Sequence, residues 1–223
     1  TVSISFNNLT INTTKIVSLG ANETVAGTFT IALGTFDVST ANHSLGVGGD
    51  FINNGTLRQR SGTITMNGSG TSQSIGGSTA TTFYNLIIAG GASDVVSLAN
   101  STTVGGAFTI TSGSFDVTVN DYPLTVYGNF TNNASSAAFV ANKGTVTLGG
   151  TLTVGGTAST IFNDLTISSS KTITLGNDET VEDTLTITGT LHITTYNLTI
   201  GNTFTNNGTF KTTGGNVTFT GNT

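Results

Sequence analysis

The six residues FNNLTI at positions 6–11 return as FYNLII at positions 83–88 and as FNDLTI at positions 162–167. Leu9, Leu86 and Leu165 therefore stand 77 and then 79 positions apart. A long, nearly constant period of this kind is typical of an array in which each unit buries its apolar face by stacking on the next unit. This repeat is the observation that decides the predicted fold.

A second stretch of the unit repeats in the same register. DFINNGT at positions 50–56 matches NFTNNAS at 129–135 and TFTNNGT at 203–209. Insertions of two or three residues fall between the matches, in Gly/Ser/Asn stretches where surface loops tolerate them. We therefore interpret residues 1–223 as a single β-solenoid domain of three internal repeats, 1–81, 82–160 and 161–223.

A shorter spacing divides each unit. Similar apolar strands begin 20, 16, 19 and 22 positions apart, at Leu9, Phe29, Leu45, Ile64 and Leu86. Four turns per unit, at roughly 19 residues each, is typical of a parallel β-solenoid, whose strands stack about 4.8 Å apart. We predict an all-β parallel β-helix of about 11–12 such turns.

Composition supports strands and tight corners. The chain has 48 Thr, 21 Ser, 23 Asn and 30 Gly residues, which together exceed half of its 223 positions. Thr favours strands, whereas Gly and Asn accept the left-handed backbone of turns. In the window TLTIT at 184–188, period-two alternation predicts buried Leu185 and Ile187 with outward threonines. Three tandem β-sandwich domains are the rival fold, which the absence of Trp and of any linker disfavours.

Charge and residue content exclude several classes of function. A net charge of −5 with only six basic residues has the wrong sign for a nucleic-acid partner. The absence of cysteine excludes disulfides and thiolate metal sites, and no apolar run is long enough for membrane insertion. The chain starts at Thr1 without an initiator Met or a signal peptide, so we expect a processed mature protein.

We expect neither an enzyme nor a cofactor. The two histidines, His43 and His192, occupy non-equivalent positions of different units, with no repeated acid beside them. One local acidic cluster contains Asp178, Glu179, Glu182 and Asp183, and the corresponding stretches at 21–26 and 101–104 do not repeat it. Calcium near this cluster is the one cofactor kept open, although a solvated acidic corner is the favoured interpretation.

Asn-x-Ser/Thr sequons are numerous. They occur at Asn8, Asn12, Asn22, Asn42, Asn54, Asn67, Asn100, Asn129, Asn133, Asn197, Asn207 and Asn216. Asn54, Asn133 and Asn207 occupy one equivalent position in all three units, so we predict that any glycans line up along the rod. The alternative is that this asparagine only turns the corner after the preceding strand.

Neither end of the chain carries a helix or a charged cap. A solenoid without polar caps exposes unpaired backbone groups and apolar side chains at its terminal turns. We predict a head-to-tail homopolymer whose junction joins Val2 and Ile4 of one subunit to Val217 and Phe219 of the next. The alternative is that the chain is a piece of a longer repeat protein, capped by its covalent neighbours.

Four phrases carry a resemblance to a known family: FNDLTI at 162–167, GTFTI at 27–31, and NFTNN at 129–133 followed by GTVTL at 144–148. They resemble the β-strand-repeat surface proteins of prokaryotes, and similar motifs occur in autotransporter-like adhesin passengers. The resemblance implies a secreted, right-handed parallel β-helix with an attachment, envelope or matrix role. It implies no catalytic residue.

We therefore predict an extracellular structural protein that assembles into a filament or surface layer. An adhesin stalk that binds carbohydrate or a cell-surface protein stays open, with four candidate rings: Tyr84, Tyr122, Tyr127 and Tyr196. An ice-binding protein is a further alternative. This function would need the outward Thr-x-Thr pairs to stack in one flat array, and the varying turn length disfavours such an array. The pairs are Thr28/Thr30, Thr63/Thr65, Thr145/Thr147 and Thr218/Thr220.

Overall fold

The chain folds as a β-solenoid. A computed structural model describes residues 3–117, 121–141 and 143–221. In these residues there is no α-helix, and every strand pairing is parallel. The predicted all-β parallel solenoid is confirmed, and the rival of three β-sandwiches is wrong, because the sheets continue from one sequence repeat into the next.

The described residues contain thirty strands, which follow one another along the chain. The first ten are β1 Ser5–Phe6, β2 Leu9–Ser18, β3 Glu23–Val25, β4 Phe29–Asp37, β5 Leu45–Val47, β6 Phe51–Asn53, β7 Thr56–Arg58, β8 Thr63–Met66, β9 Gln73–Gly76 and β10 Thr81–Phe83. The next ten are β11 Asn85–Ala89, β12 Val95–Leu98, β13 Thr102–Val104, β14 Phe108–Ser112, β15 Ser114–Asp116, β16 Leu124–Val126, β17 Phe130–Asn132, β18 Phe139–Val140, β19 Thr145–Leu148 and β20 Leu152–Gly156. The last ten are β21 Thr160–Phe162, β22 Asp164–Ile167, β23 Thr172–Gly176, β24 Glu179–Val181, β25 Thr184–Ile187, β26 Thr190–Ile193, β27 Leu198–Ile200, β28 Thr203–Asn206, β29 Thr209–Thr212 and β30 Val217–Phe219.

The strands form three faces that the chain visits in a fixed order. Face 1 is the eleven-stranded sheet that runs from β1 through β3, β5 and every third strand from β8 to β29. Face 2 runs from β2 and β4 through β6, β9, β12, β15 and β18, and then through β21, β24, β27 and β30. Face 3 is the sheet from β10 to β28, preceded by β7 and by the second halves of β4 and β2.

The solenoid has about ten turns of roughly 21 residues. The prediction of 11–12 turns of about 19 residues is wrong in these numbers, because it treated every repeated apolar strand as a new turn. Phe29 pairs with Phe51 on face 2, so the step from Phe29 to Leu45 passes from face 2 to face 1 and covers less than a turn.

The sequence unit contains eleven strands and not four whole turns. Leu9 lies on face 2, Leu86 on face 1 and Leu165 on face 3. Eleven strand segments lead from Leu9 to Leu86, and eleven more lead from Leu86 to Leu165. In this count β2 and β4 are two segments each, because each of them crosses two faces. Because a turn has three strands, each unit starts one third of a turn behind the previous one.

The core is a column of apolar side chains inside the three faces. Leu185 and Ile187 are fully buried, as the alternation of residues 184–188 predicted. Phenylalanine rings stack from turn to turn, for example Phe108 with Phe130 and Phe130 with Phe162, at centroid distances of 4.9 and 5.3 Å. Burial of such ladders is the main favourable term for this fold.

Candidate assembly surfaces and other candidate sites

The first turn leaves an apolar cavity at one end of the solenoid. The cavity has a volume of about 340 Å³. Its lining includes Ile4 and Phe6 from the start of face 1, and Leu9 and Ile11 from the start of face 2. Ile4 is 54% exposed, which is unusual for an isoleucine that lies in line with a buried ladder.

The last turn exposes apolar side chains at the other end. Phe219 on β30 is 47% exposed, and Val217 on the same strand is half-buried. Phe219 contacts Phe204, whose ring also contacts Phe210, at centroid distances of 5.6 and 5.3 Å. The three rings form an aromatic cluster without a covering turn in the described part of the chain.

Both ends also present sheet edges. β1 and β2 begin faces 1 and 2, and β28, β29 and β30 end faces 3, 1 and 2. Within the described residues, each of these strands pairs on one side only. An open edge with apolar neighbours is a template for pairing with another strand. Of the four predicted junction residues, Ile4, Val217 and Phe219 lie at these ends, and Val2 lies outside the described residues.

No family model, curated protein or solved structure matches the chain.

The chain contains no helix in its described residues that is long and apolar enough to cross a membrane.

The sequon asparagines do not line up along one face. Asn54 follows β6 on face 2, Asn133 follows β17 on face 1 and Asn207 follows β28 on face 3. The predicted alignment of glycans is wrong, because each unit is turned by one third relative to its neighbour. Occupancy of any sequon stays a prediction.

Two of these asparagines fasten one turn to the next. The Oδ1 atom of Asn54 accepts a hydrogen bond from the backbone N–H of Ser78 at 2.7 Å, and Asn133 accepts from Thr157 at 3.1 Å. Asn8 likewise accepts from Thr28 at 2.7 Å. These contacts join consecutive turns, and the alternative role of these asparagines in turning a corner stays a prediction.

The inward asparagine that precedes each of these sequons shapes the corner. Asn132 is fully buried, and its side-chain amide donates to the carbonyl oxygens of Ser135 and Ser159, at 2.8 and 2.9 Å. Ser159 lies one turn further along. Gly156 approaches this corner with φ +133°, and a Cβ atom there would lie 2.1 Å from the Asn132 carbonyl oxygen. The position therefore requires glycine.

Sequence inspection missed a pair of equivalent buried glutamates. Glu23 on β3 and Glu179 on β24 are 8% and 3% exposed. Glu23 accepts a hydrogen bond from the backbone N–H of Ile4, and Glu179 accepts one from Thr160 at 2.5 Å. In both cases the donor lies 19 positions earlier, so Ile4 occupies the place of Thr160. The shared Glu-Thr-Val triplet is the signal that indicates this equivalence.

Glu179 is held in an environment that disfavours its charge. Its Oε1 atom and the Thr160 hydroxyl are buried without a well-oriented hydrogen-bond partner. Burial raises the pKa of Glu179 to about 8, although hydrogen bonding by Thr160 acts in the opposite direction. The neighbouring Asp178 carboxylate also raises this pKa. Glu179 is therefore protonated in the folded protein at neutral pH.

The predicted acidic cluster does not converge on one point. Glu179 faces the core, whereas Asp178 accepts hydrogen bonds from Asn197, and Asp183 accepts one from Asn202. No group of three or more His, Cys, Asp or Glu residues that could hold a metal ion occurs among the described residues. Calcium binding at the cluster stays a prediction without a geometric site.

The histidines and tyrosines are dispersed. His192 Nε2 lies 3.2 Å from the hydroxyl of Thr213, while His43 lies in a loop between β4 and β5. Tyr84 and Tyr127 follow face 3 at the same corner, two turns apart, and Tyr196 precedes β27 at another corner. The rings do not form one groove of the kind that a sugar-binding site needs.

One regular polar array does exist, on face 3. Seven threonines pair in register across successive strands: Thr82, Thr103, Thr125, Thr147, Thr166, Thr186 and Thr205. Of the four threonine pairs chosen from the sequence, only Thr145/Thr147 contributes to this ladder, through Thr147 alone. The others lie on faces 1 and 2, so they do not form the single array that was considered.

Proposed function

We propose that this protein is an extracellular structural subunit that stacks head to tail into a filament or a fibrous surface layer. The observation that carries the proposal is the contrast between the buried apolar core of the middle turns and the apolar side chains exposed in the first and last described turns. Ile4 and Phe219 are each about half exposed, whereas the phenylalanines of the middle turns are fully buried.

The two ends are complementary in kind. One end offers a cavity, and the other offers an exposed phenylalanine with its neighbouring rings. A contact between the two different ends of identical subunits is heterologous, and it continues indefinitely unless a rotation closes it into a ring. Burial of a phenylalanine side chain contributes about 1.5–3 kcal/mol, to which the backbone hydrogen bonds of the paired edges add.

The outer surface supports an extracellular role. Only 8% of the residues are charged, and the exterior is dominated by Thr, Ser and Asn, which stay hydrated without charge. Continuous parallel pairing along the axis leaves few backbone groups open to proteolysis. The resemblance to prokaryotic β-strand-repeat surface proteins agrees with this location.

Substitutions at the ends test the proposal. Phe219→Asp and Ile4→Asp place a charge in the junction, so each is expected to abolish assembly while leaving the melting temperature of the monomer nearly unchanged. Tyr127→Asp is the matched control, because Tyr127 is 48% exposed in the middle of the rod. Sedimentation velocity and negative-stain electron microscopy are the measurements. Normal filaments from both end variants would contradict the proposal.

Ice binding is a second candidate, and the threonine ladder of face 3 favours it. The seven hydroxyls make no hydrogen bond to the described part of the protein, and the ladder contains no charged residue. Parallel strands repeat about every 4.8 Å, so the ladder presents hydroxyl and methyl groups at one constant spacing. A surface of this kind can order water in a lattice.

A thermal-hysteresis assay tests the second candidate. Replacing Thr125 and Thr166 by lysine interrupts the ladder and is expected to remove activity. Replacing Thr109 and Thr174 on face 1 is the matched control, which is expected to keep it. Absence of thermal hysteresis in the unsubstituted protein would eliminate this function without affecting the assembly proposal.

A further inference from the structure

The solenoid contains two internal junctions between its repeats. At each junction the first strand of a new unit lies on the third strand before it. β8 lies beneath β11, with Ile64 paired to Leu86 and Met66 paired to Ile88. β19 lies beneath β22 in the same way, with Val146 paired to Leu165. These two interfaces show how one unit follows another.

The strand before each new unit has an equivalent support. Phe162 on β21 packs on Phe139 of β18, with ring centroids 5.6 Å apart. Phe83 on β10 lies above β7, which carries the buried Leu57. Phe6 on β1 is the matching residue of the first unit, and no strand lies beneath β1 in the described residues.

The last turn has strands on the faces where the first turn of a second copy would need a strand beneath it. The third unit begins at β22 on face 3 and has nine strands up to β30 on face 2. Two more strands, one on face 3 and one on face 1, would complete eleven. β1 lies on face 1, and the Leu9 strand that follows it lies on face 2. A new unit would therefore begin directly above β30.

We propose that a second copy of this chain stacks on the last turn as a fourth unit, in the register of the two internal junctions. The inference rests on the head-to-tail function proposed above and specifies its junction. Val217 of one copy pairs with Leu9 of the next, Phe219 pairs with Ile11, and Phe210 supports Phe6. One face 3 strand is skipped, so the edge of β28 stays open at the junction.

The pairing differs from the junction predicted from the sequence alone. That prediction joined Val2 and Ile4 of one copy to Val217 and Phe219 of the next, but Ile4 precedes β1 on face 1, whereas Phe219 lies on face 2. In the inferred register Phe219 instead enters the cavity beside Leu9 and Ile11. Each of the three units starts one third of a turn behind the unit before it, so the first unit of the next copy starts on the same face as the first unit of this copy. Successive copies therefore need no rotation beyond the ordinary twist of the sheets.

A polar contact follows from the same register. Asn132 donates to the carbonyl oxygen of Ser159, which lies three positions before Phe162. The matching donor in the third unit is Asn206, which is exposed, and the matching carbonyl is that of Ser3, three positions before Phe6. We assign the Asn206 side-chain amide to the carbonyl oxygen of Ser3 in the next copy.

Disulfide trapping tests the register, because the chain has no cysteine of its own. Thr10 and Thr218 point outward from the two strands that the inference pairs. Neighbouring residues of paired strands lie within the Cα separation of about 4.4–6.8 Å that a disulfide accepts. The variant Thr10→Cys/Thr218→Cys is therefore expected to form covalent polymers when its filaments are oxidised. They would run as a ladder on non-reducing gels.

A face-shifted variant is the matched control. Thr10→Cys/Thr205→Cys places the second thiol on face 3, out of reach of Thr10, and is expected to stay monomeric on the gel. Filaments that cross-link in the control, or in neither variant, would overturn the inferred register and leave head-to-tail assembly intact. Absence of filaments in the unsubstituted protein would overturn the assembly proposal itself.

Discussion

The Phe-x-Asn-Asn corner at residues 51–54, 130–133 and 204–207 occurs twice in the middle of the rod and once at its end. In the first two copies Phe51 and Phe130 are fully buried, and the inward asparagines are 2% and 0% exposed. In the third copy Phe204 is half-buried and Asn206 is exposed. The same short sequence therefore meets two different environments.

The local turn is nevertheless the same in all three copies. The backbone N–H two residues after each inward asparagine donates to its Oδ1 atom, at 3.2, 3.2 and 3.1 Å. Such a turn depends on neighbouring residues only. Burial, in contrast, is supplied by the following turn. The sequence unit therefore determines the local turn at this corner, whereas the burial of the corner depends on the next turn along the axis.

The largest expected effect is the loss of a core ring in a middle turn. Phe130→Ala leaves a cavity between packed rings and is expected to lower the free energy of unfolding by about 3–5 kcal/mol. Phe204→Ala should lower it by clearly less, because Phe204 is already partly exposed. Denaturant unfolding below the concentration of assembly is the measurement. Equal losses of unfolding free energy in the two variants would contradict the expected difference between the middle turns and the last turn.

The buried glutamate gives the next largest effect and a dependence on pH. Because the folded pKa of Glu179 lies near 8, above its ordinary value of 4.5, the folded protein holds a proton that the unfolded chain releases. The free energy of unfolding should therefore fall as pH rises from about 4.5 to about 8, by a few kcal/mol, and change no further from this group above pH 8.

Glu179→Gln is expected to remove this loss and to raise the melting temperature at pH 9. Glu23→Gln is the comparison at the first turn, where Glu23 lines the open cavity. Thermal unfolding of the three proteins at pH 5, 7 and 9 provides the test. A Glu179→Gln protein that keeps the full pH dependence of the parent would contradict the assignment to Glu179.

A glycine at a middle corner should have an intermediate effect. Gly156→Ala adds a Cβ atom against the Asn132 carbonyl oxygen at a left-handed backbone position, so a loss of about 2–3 kcal/mol is expected. Gly70→Ala is the matched control, since Gly70 has φ +78° but nothing within 4 Å of the added atom. Its expected loss is about 1 kcal/mol. Comparable unfolding midpoints for the two variants would show that close contact at the corner is unimportant.

The smallest expected difference concerns the inward asparagines. Asn132→Ala leaves two partly buried carbonyl oxygens without their donor and is expected to lower the free energy of unfolding by about 1–3 kcal/mol. Asn206→Ala should leave the monomer nearly unchanged, yet weaken assembly. Calorimetry measures the stability of each variant, and sedimentation equilibrium measures its assembly. An Asn206→Ala protein that assembles normally would argue against its contact with the next copy.

The fold was largely predictable from the sequence. The period between Leu9, Leu86 and Leu165 predicts stacking, and the alternation around Leu185 predicts which side chains are buried, because both depend on local pattern. The number of strands per turn was not predictable in this way. Similar strands on different faces, such as those of Phe29 and Leu45, have the same local sequence signal, so a repeat of eleven strands was misinterpreted as four turns.

The candidate sites were predictable only in part. The exposure of Phe219 follows from the repeat, since Phe219 has the sequence of a core residue and no strand lies above β30 in the described residues. The threonine ladder of face 3 was missed, because its members occupy different positions of the unit and are aligned only by the three-strand turn, which the sequence did not reveal. The equivalence of Glu23 and Glu179 was missed because the acids around them differ.

Amide hydrogen exchange, measured as a function of protein concentration, tests the central claim most directly. We expect the amides of β14 and β17 in the middle to be protected at every concentration, and those of β1, β29 and β30 at the ends to become protected only where the chain assembles. End strands whose exchange rates do not change with concentration would contradict an account in which each open end is completed by another copy.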